Sequence, residues 1–369
     1  MIGAEPPTAL LESDLSSRDA GAFVHVGSAR VPAIRYCLTE SDSESRPRGL
    51  DAVETIHAIG FDGSSWHHSQ GRKIGNGQSG THPADDLATR LADEGVSGTV
   101  LTPATIPHDA ALFLEQAGFE LASSDVLSRA RRSKSNDERV RIERAQKAGA
   151  DGTRRAATVL AETDVDDEAL VFDGKPLTND RLRTAVDGAI VAAGALSDGL
   201  TRITSTTDGA ALRAGEPIVI ELSPRGLEGY HGGLTRTFVV ESDGGGHRRA
   251  HVALTRAFRS VRSKLTDATH SVTAVEADLE AEIRAFGFGD ADDIETRVTG
   301  VGLEPREAPT AADADVGPET VVRIEAAVRV DDERSVRLAD LLVPGEPARW
   351  LESPSRSLDP AAYDRFSVA

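Results

Sequence analysis

The chain has almost no lysine. Of its 41 basic residues only Lys73, Lys134, Lys147, Lys175 and Lys264 are lysines, and the others are arginines. Aromatic residues are scarce, at 4%. Cys37 is the sole cysteine, which excludes an internal disulfide and a thiolate-rich metal site. No apolar run approaches the ~20 residues that a membrane-spanning helix needs. Acidic residues interrupt the N-terminal stretch early, so it does not read as a signal peptide. No GxGxxG or P-loop follows a predicted strand, and the DGGG run at 243–246 reads as a turn between strand and helix. No histidine follows His270. These gaps predict a soluble, cytoplasmic protein.

Acid is abundant. Sixty Asp and Glu residues face 41 basic ones, for a formal charge of −19. High acid, little lysine and few aromatics match a halophilic cytosol, such as that of a halophilic archaeon, where salt screens the self-repulsion. This balance argues against a broad phosphate-facing surface for nucleic acid. It leaves a basic protein partner open.

A chain of 369 residues can hold two domains. Residues 1–132 mix short apolar runs, AFVHVG at 22–27 and SGTVLTPA at 97–104, with helical stretches near 82–93 and 108–117. They predict an α/β domain with a small central sheet. His67 and His68, in WHHSQGRK, read as a solvated loop without zinc spacing. A basic joint, SRARRSKSNDE, precedes a helix that Ser135 or Asn136 would cap. Gly149 and Gly152 weaken that helix and allow a break near them. The second domain, 133–350, has a helix at 177–194, strands on either side of the turn in IVIELSPRGLEGYHGGLTRTFVV, and a long helical region at 247–286. Alternating strands follow, IETRVTG, VVRIEAAV and SVRLADLLV. They predict a curved antiparallel sheet with one helix-covered face. The polar tail, 351–369, reads as a surface wrap.

Several landmarks of the second domain occur in a telling order. RRSKSNDE stands at 131–138, LRAGEPIVIELSPRGLEGYHGGLTRTFVV at 212–240, TGVGLEPREAP at 299–309, VVRIEAAV at 321–328 and VRLAD at 336–340. Together they resemble the creatinase, prolidase and methionine aminopeptidase family, the M24 or Xaa-Pro peptidases. The resemblance implies a creatinase-like α/β first domain and a C-terminal pita-bread α+β domain. It also implies homodimerisation.

In active members of that family two aspartates, one histidine and two glutamates hold two divalent metals, Mn, Co, Zn or Fe. Such a pair activates a bridging hydroxide and polarises a carbonyl. Carried over position by position, the resemblance puts Glu221 at the first aspartate, with its charge kept and one methylene added. Gly233 stands at the second, Thr299 at the histidine and Ala339 at one glutamate, and only Glu325 is unchanged. Arg306 stands where the family has a substrate-contacting histidine, and Glu307 is retained.

Two rescues of the site are conceivable from these residues. His231 shares strand parity with Gly233 and so lies near the pocket. Glu221, Glu325 and Glu307 would together hold one hard cation weakly, unless Arg306 neutralises them and a carboxylate–arginine cluster takes the place of the metals. Asp340 neighbours Ala339, but strand period two points it to the other face. The expectation is a non-catalytic homologue without metal that binds a peptide, a small molecule or a protein; metal-free relatives of this fold include protein-binding modules. The alternative is a metal-dependent Xaa-Pro aminopeptidase or dipeptidase with a remodelled site. A metal-independent, creatinase-like hydrolase would need a histidine where Thr299 stands. No GxSxG elbow supports a serine nucleophile.

Overall fold

The computed structural model describes residues 131–363, except 207–210, 290–292, 311–313 and 333. Before them it describes 23–26, 34–37, 59–61, 65–68, 73–76, 99–102, 108–123 and a few single positions. The chain divides into two compact units, Met1–Ser133 and Lys134–Ala369.

The first unit holds a seven-stranded mixed sheet. Its strands are β1 (Phe23–Val26), β2 (Ile34–Cys37), β3 (Ile59–Phe61), β4 (Ser65–His68), β5 (Lys73–Asn76), β6 (Thr99–Thr102) and β7 (Glu120–Ser123), in the order β5-β4-β3-β2-β1-β6-β7. Strands β1 to β5 form an antiparallel meander. β6 runs parallel to both β1 and β7. A parallel pair needs a crossover, which helix α1 (His108–Gln116) supplies between β6 and β7. The sheet is larger than the small one expected, because strands of three or four residues leave little periodicity to detect. His67 and His68 lie in β4 rather than in a loop. The helix expected near 82–93 falls largely outside the described residues.

The second unit opens with α2 (Asn136–Ala161). Ser135 caps it in a full capping box with Glu138. The helix runs unbroken through Gly149 and Gly152. Tertiary packing overrides their low propensity: a Cβ at Gly149 would lie 3.2 Å from Pro224, and one at Gly152 2.9 Å from Ile190. Helices α3 (Asn179–Ala192), α4 (Gly245–Asp267) and α5 (Val272–Arg284) follow. The helical region expected at 247–286 is thus two helices, and Ser271 caps the second by accepting from Ala274 N.

The central sheet contains β8 (Arg202–Thr204), β9 (Ile218–Leu222), β10 (Leu234–Phe238), β11 (Ile294–Gly300), β12 (Val322–Arg329), β13 (Ser335–Val343) and β14 (Arg349–Trp350). The order is β8-β9-β10-β13-β12-β11, with β14 on β13, and every pair is antiparallel. Period two divides the faces. Even-numbered residues such as Ile218, Ile220, Leu234, Phe238, Ile324 and Leu338 pack into two clusters with the helices. The expected helix-covered face is this one. The odd-numbered face of the same strands carries Glu221, Thr235, Arg323, Glu325 and Ala339.

The described part of the tail, 351–363, is anchored by buried side chains rather than only laid on the surface. Leu351, Leu358 and Tyr363 are buried, and the last two join the two helix-side clusters. Its polar appearance is misleading, because the carbonyls of Pro354 and Ser355 accept hydrogen bonds from the buried Arg236. Among the described residues no helix is long and apolar enough to cross a membrane.

Candidate functional site

Strand register assembles the site. Glu221 on β9 stands opposite Thr235 on β10, Thr235 opposite Ala339 on β13, Ala339 opposite Glu325 on β12, and Glu325 opposite Arg297 on β11. Directly opposed residues share a face, so these five form one row across the sheet. Asp340 points the other way, as parity predicts. There its buried carboxylate accepts from Arg236 Nη2 at 2.7 Å and from Arg356 Nε at 2.7 Å.

A loop closes over the row from the end of β11. Gly300 N donates to the carbonyls of Glu307 (2.9 Å) and Pro309 (3.0 Å), and Glu307 N donates back to Gly300 O. This closure holds Arg306 above the carboxylates. Arg306 Nη2 donates to Glu221 Oε1 at 2.7 Å and to Glu325 Oε1 at 2.8 Å, while its Nε reaches Glu325 Oε2 at 2.9 Å. The contact is bidentate towards Glu325, the strong geometry for a guanidinium.

A second arginine comes from below. Arg323 precedes Glu325 by two residues on β12 and so shares its face. Its side chain is fully buried. Nη1 donates to Ser223 Oγ at 2.9 Å, and Nη2 to Glu221 Oε1 at 3.2 Å and Thr235 Oγ1 at 3.3 Å. Nε pairs with Glu325 Oε1 at 2.9 Å, although its N–H is poorly aligned with that oxygen. Two guanidinium and two carboxylate groups make the cluster formally neutral. Sequence reasoning missed Arg323. The available signal was an arginine inside an apolar strand, two residues from a retained glutamate.

The other anticipated residues go elsewhere. Glu307 accepts from the buried Lys134 Nζ at 2.7 Å. Beside them Tyr230 OH donates to Glu138 Oε1 at 3.0 Å. These landmarks of the sequence therefore serve as a buried polar scaffold. His231 is buried and sets Nδ1 3.3 Å from the Ser223 carbonyl. Thr299 is buried opposite Arg323, and its Oγ1 has no hydrogen-bond partner among the described residues. Gly233 N donates to Gln146 Oε1. Ala339 is fully buried and brings no donor atom.

Burial alone would raise the Glu221 carboxyl, but the charges of Arg323 and Arg306 and the Arg306 hydrogen bond outweigh it and hold it below 4.5. Glu325 behaves alike, with burial opposed by the same two arginines. The Glu325 hydrogen bond is the largest influence on Arg306 and raises its pKa. On Arg323 burial is largest and lowers it, against Glu325 and Glu221. Burial also raises Asp340, yet Arg236 and Arg356 bring it below its ordinary 3.8.

A carboxylate depressed in the folded state contributes stability that is present above its unfolded pKa and lost as pH falls through the folded value. Stability is therefore expected to fall as pH drops below 4.5. Burial lowers His231, His247 and His251 too, so a loss of the same sign starts below 6.5. Glu138, raised by burial, contributes with the opposite sign. Melting temperature followed from pH 7 to 3 at constant salt checks this, and a flat profile contradicts it.

The residues present do not fit a dinuclear metal centre. Glu325 gives both of its oxygens, and Glu221 its Oε1, to guanidinium groups. Glu307 does not join them, contrary to the three-glutamate cation site conceived from sequence. Among the described residues no three His, Cys, Asp or Glu side chains come together as a metal site.

Comparison with known proteins agrees with this architecture. The structure resembles a Xaa-Pro dipeptidase from Bacillus anthracis (14% identity, 96% of this chain and 99% of that one, TM-score 0.68). It also resembles a prolidase from Pyrococcus horikoshii OT3 (18% identity, 95% and 98%, TM-score 0.66). A third likeness is to the N-terminal domain of FACT complex subunit SPT16 from Cicer arietinum (17% identity, 98% and 99%, TM-score 0.66). At these identities the likeness shows the fold: a creatinase-like α/β unit followed by a pita-bread unit. No curated protein matches the chain in sequence. Residues 141–345, more than half of the chain, match the family described as metallopeptidase family M24. A chain with that match, that fold and the landmark segments in that order belongs to metallopeptidase family M24.

Proposed function

We propose that this protein is a non-catalytic member of its family that acts by binding a peptide, a small molecule or a protein, and not nucleic acid. The observation that carries the reading is the pairing of Glu221 and Glu325 with Arg306 and Arg323. A metal-dependent hydrolase needs carboxylates free to ligate and a water to activate. On this reading Glu221, Glu325, Arg306 and Arg323 form a charge-paired cluster in place of a reaction centre, while His231, Thr299 and Glu307 are buried beside it in structural roles. The likeness to a domain of a FACT complex subunit, named for an assembly rather than for a reaction, supports the reading. The composition supports a halophilic cytoplasm as its setting, and the family resemblance supports a homodimer. The rival reading is a Xaa-Pro aminopeptidase or dipeptidase with a remodelled metal site, which would have to strip Arg306 from both carboxylates.

The test is Xaa-Pro peptide hydrolysis with Mn, Co, Zn or Fe(II) at molar salt, alongside the metal content of the protein purified without chelator. The expected result is no metal-stimulated turnover and substoichiometric metal. Stoichiometric metal with stimulated hydrolysis would overturn the proposal.

A further inference from the structure

We infer that Arg306 and Arg323 are built-in cations which take the place of divalent metal, and that their removal turns the Glu221–Glu325 pair into a metal site. The inference rests on the reading of the site as metal-free and goes beyond it by naming what excludes the metal.

Three observations carry it. First, Arg306 Nη2 sits 2.7 Å from Glu221 Oε1 and 2.8 Å from Glu325 Oε1. One nitrogen of a cationic group thus bridges two carboxylates on non-adjacent strands, in the position a hard cation would take. Such cations prefer oxygen ligands at roughly 2.1–2.6 Å, a small contraction from these distances. Second, Arg323 fills the volume beside Gly233. A Cβ at 233 would lie 2.9 Å from its Nη1 and 3.1 Å from its Cδ. A side chain at 233 would therefore require Arg323 to shift, so an aspartate restored there competes with the present cluster for the same volume. Third, the groups around the two guanidiniums are oxygens: Ser223 Oγ and Thr235 Oγ1 accept from Arg323, and Thr299 stands opposite it. Two carboxylates with nearby hydroxyls suit Mg, Ca or Mn rather than a softer metal.

The cations also have a mechanical consequence. Arg306 joins its loop to β9 and β12, and Arg323 joins β12 to β9 and β10. Without them two carboxylates face each other in a mostly buried setting, where like charges repel. A divalent ion would relieve that repulsion.

The experiment uses the full-length protein, Mn2+ as the probe, and two variants, Arg306→Gln and Arg306→Gln/Arg323→Gln. For the wild type, millimolar Mn2+ or its chelation is expected to leave the melting temperature unchanged, with no saturable binding by calorimetry. The double variant is expected to melt lower, to bind about one Mn2+ and to gain roughly 5 °C or more at saturation. If it folds only when Mn2+ is present, the same conclusion follows. Adding Glu221→Gln and Glu325→Gln to the double variant should abolish the Mn2+ effect. Arg306 is a third exposed, so the single variant stays testable even if the double variant does not fold. It is expected to bind Mn2+ more weakly but above the wild type. Folded variants that ignore Mn2+ would overturn the inference. So would a double variant that Mn2+ cannot fold while the single variant shows no binding, or wild-type protein that binds Mn2+ with its arginines in place. Peptidase activity is read separately on the wild type, so hydrolysis without tight metal binding would count against the proposed function alone.

Discussion

Asp340→Ala is expected to lower stability by about 3–5 kcal/mol, the cost of leaving a buried ion pair without one partner. Asp340 is fully buried on the helix-side face of β13. It accepts from Arg236 Nη2, Arg356 Nε and Ser353 Oγ. Arg236 is itself 1% exposed, and its other donors are committed to the carbonyls of Thr235, Ala339, Pro354 and Ser355. Removing the carboxylate leaves that guanidinium with dipoles but without its counter-ion. Arg356 suffers less, because it is partly exposed and lies over the Trp350 ring at 4.5 Å. The cost therefore concentrates at Arg236, and the double variant Asp340→Ala/Arg236→Met should recover part of it. Denaturant unfolding at fixed salt measures both variants. A loss under ~1 kcal/mol for Asp340→Ala would show that charge pairing contributes little there.

Gly300→Ala is expected to cost more than about 4 kcal/mol or to prevent folding, an effect confined to a few mechanisms of which backbone overlap is one. A Cβ at Gly300 would lie 1.9 Å from the Ala308 carbonyl oxygen and 2.5 Å from its carbon. These are backbone atoms and have no rotamer by which to withdraw. The strand would have to part from the 307–309 segment, breaking the paired bonds between Gly300 and Glu307. The same separation would lift Arg306 from Glu221 and Glu325, so the site would fail with the fold. Gly188→Ala is the matched control. It lies in α3 with nothing within 4 Å of the new methyl group, and helix propensity favours alanine there by ~1 kcal/mol. Circular dichroism and thermal melting of both variants test the contrast. A normally folded Gly300→Ala protein would mean that the close approach is not required.

Much of the second unit was legible in the chain because its signals are local. The alternation in VVRIEAAV and SVRLADLLV marks two strands and assigns Asp340 to the face opposite Ala339, since period two follows from the pleat alone. The replacements at Gly233, Thr299 and Ala339 are visible one residue at a time. The first unit was less legible, as its short strands lack the length over which a period can be counted. The anchoring of segment 351–363 was not legible because serines, prolines and aspartates mark loops in general, whereas here the backbone carbonyls of Pro354 and Ser355 satisfy a buried arginine.

The sequence by itself determined the family, the order of the second unit's main strands and the loss of side chains that would hold metal. Only the tertiary structure decided what replaced them. Arg323 reaches Ser223 and Glu221 across about a hundred residues of chain, and Lys134 reaches Glu307 across 173. Spacing along the chain reports which face a side chain occupies but not which charge meets it from another element. That partner is set by strand register and by the volume left open at Gly233. Both are properties of the folded sheet, where desolvation forces each buried charge to find its counter-ion.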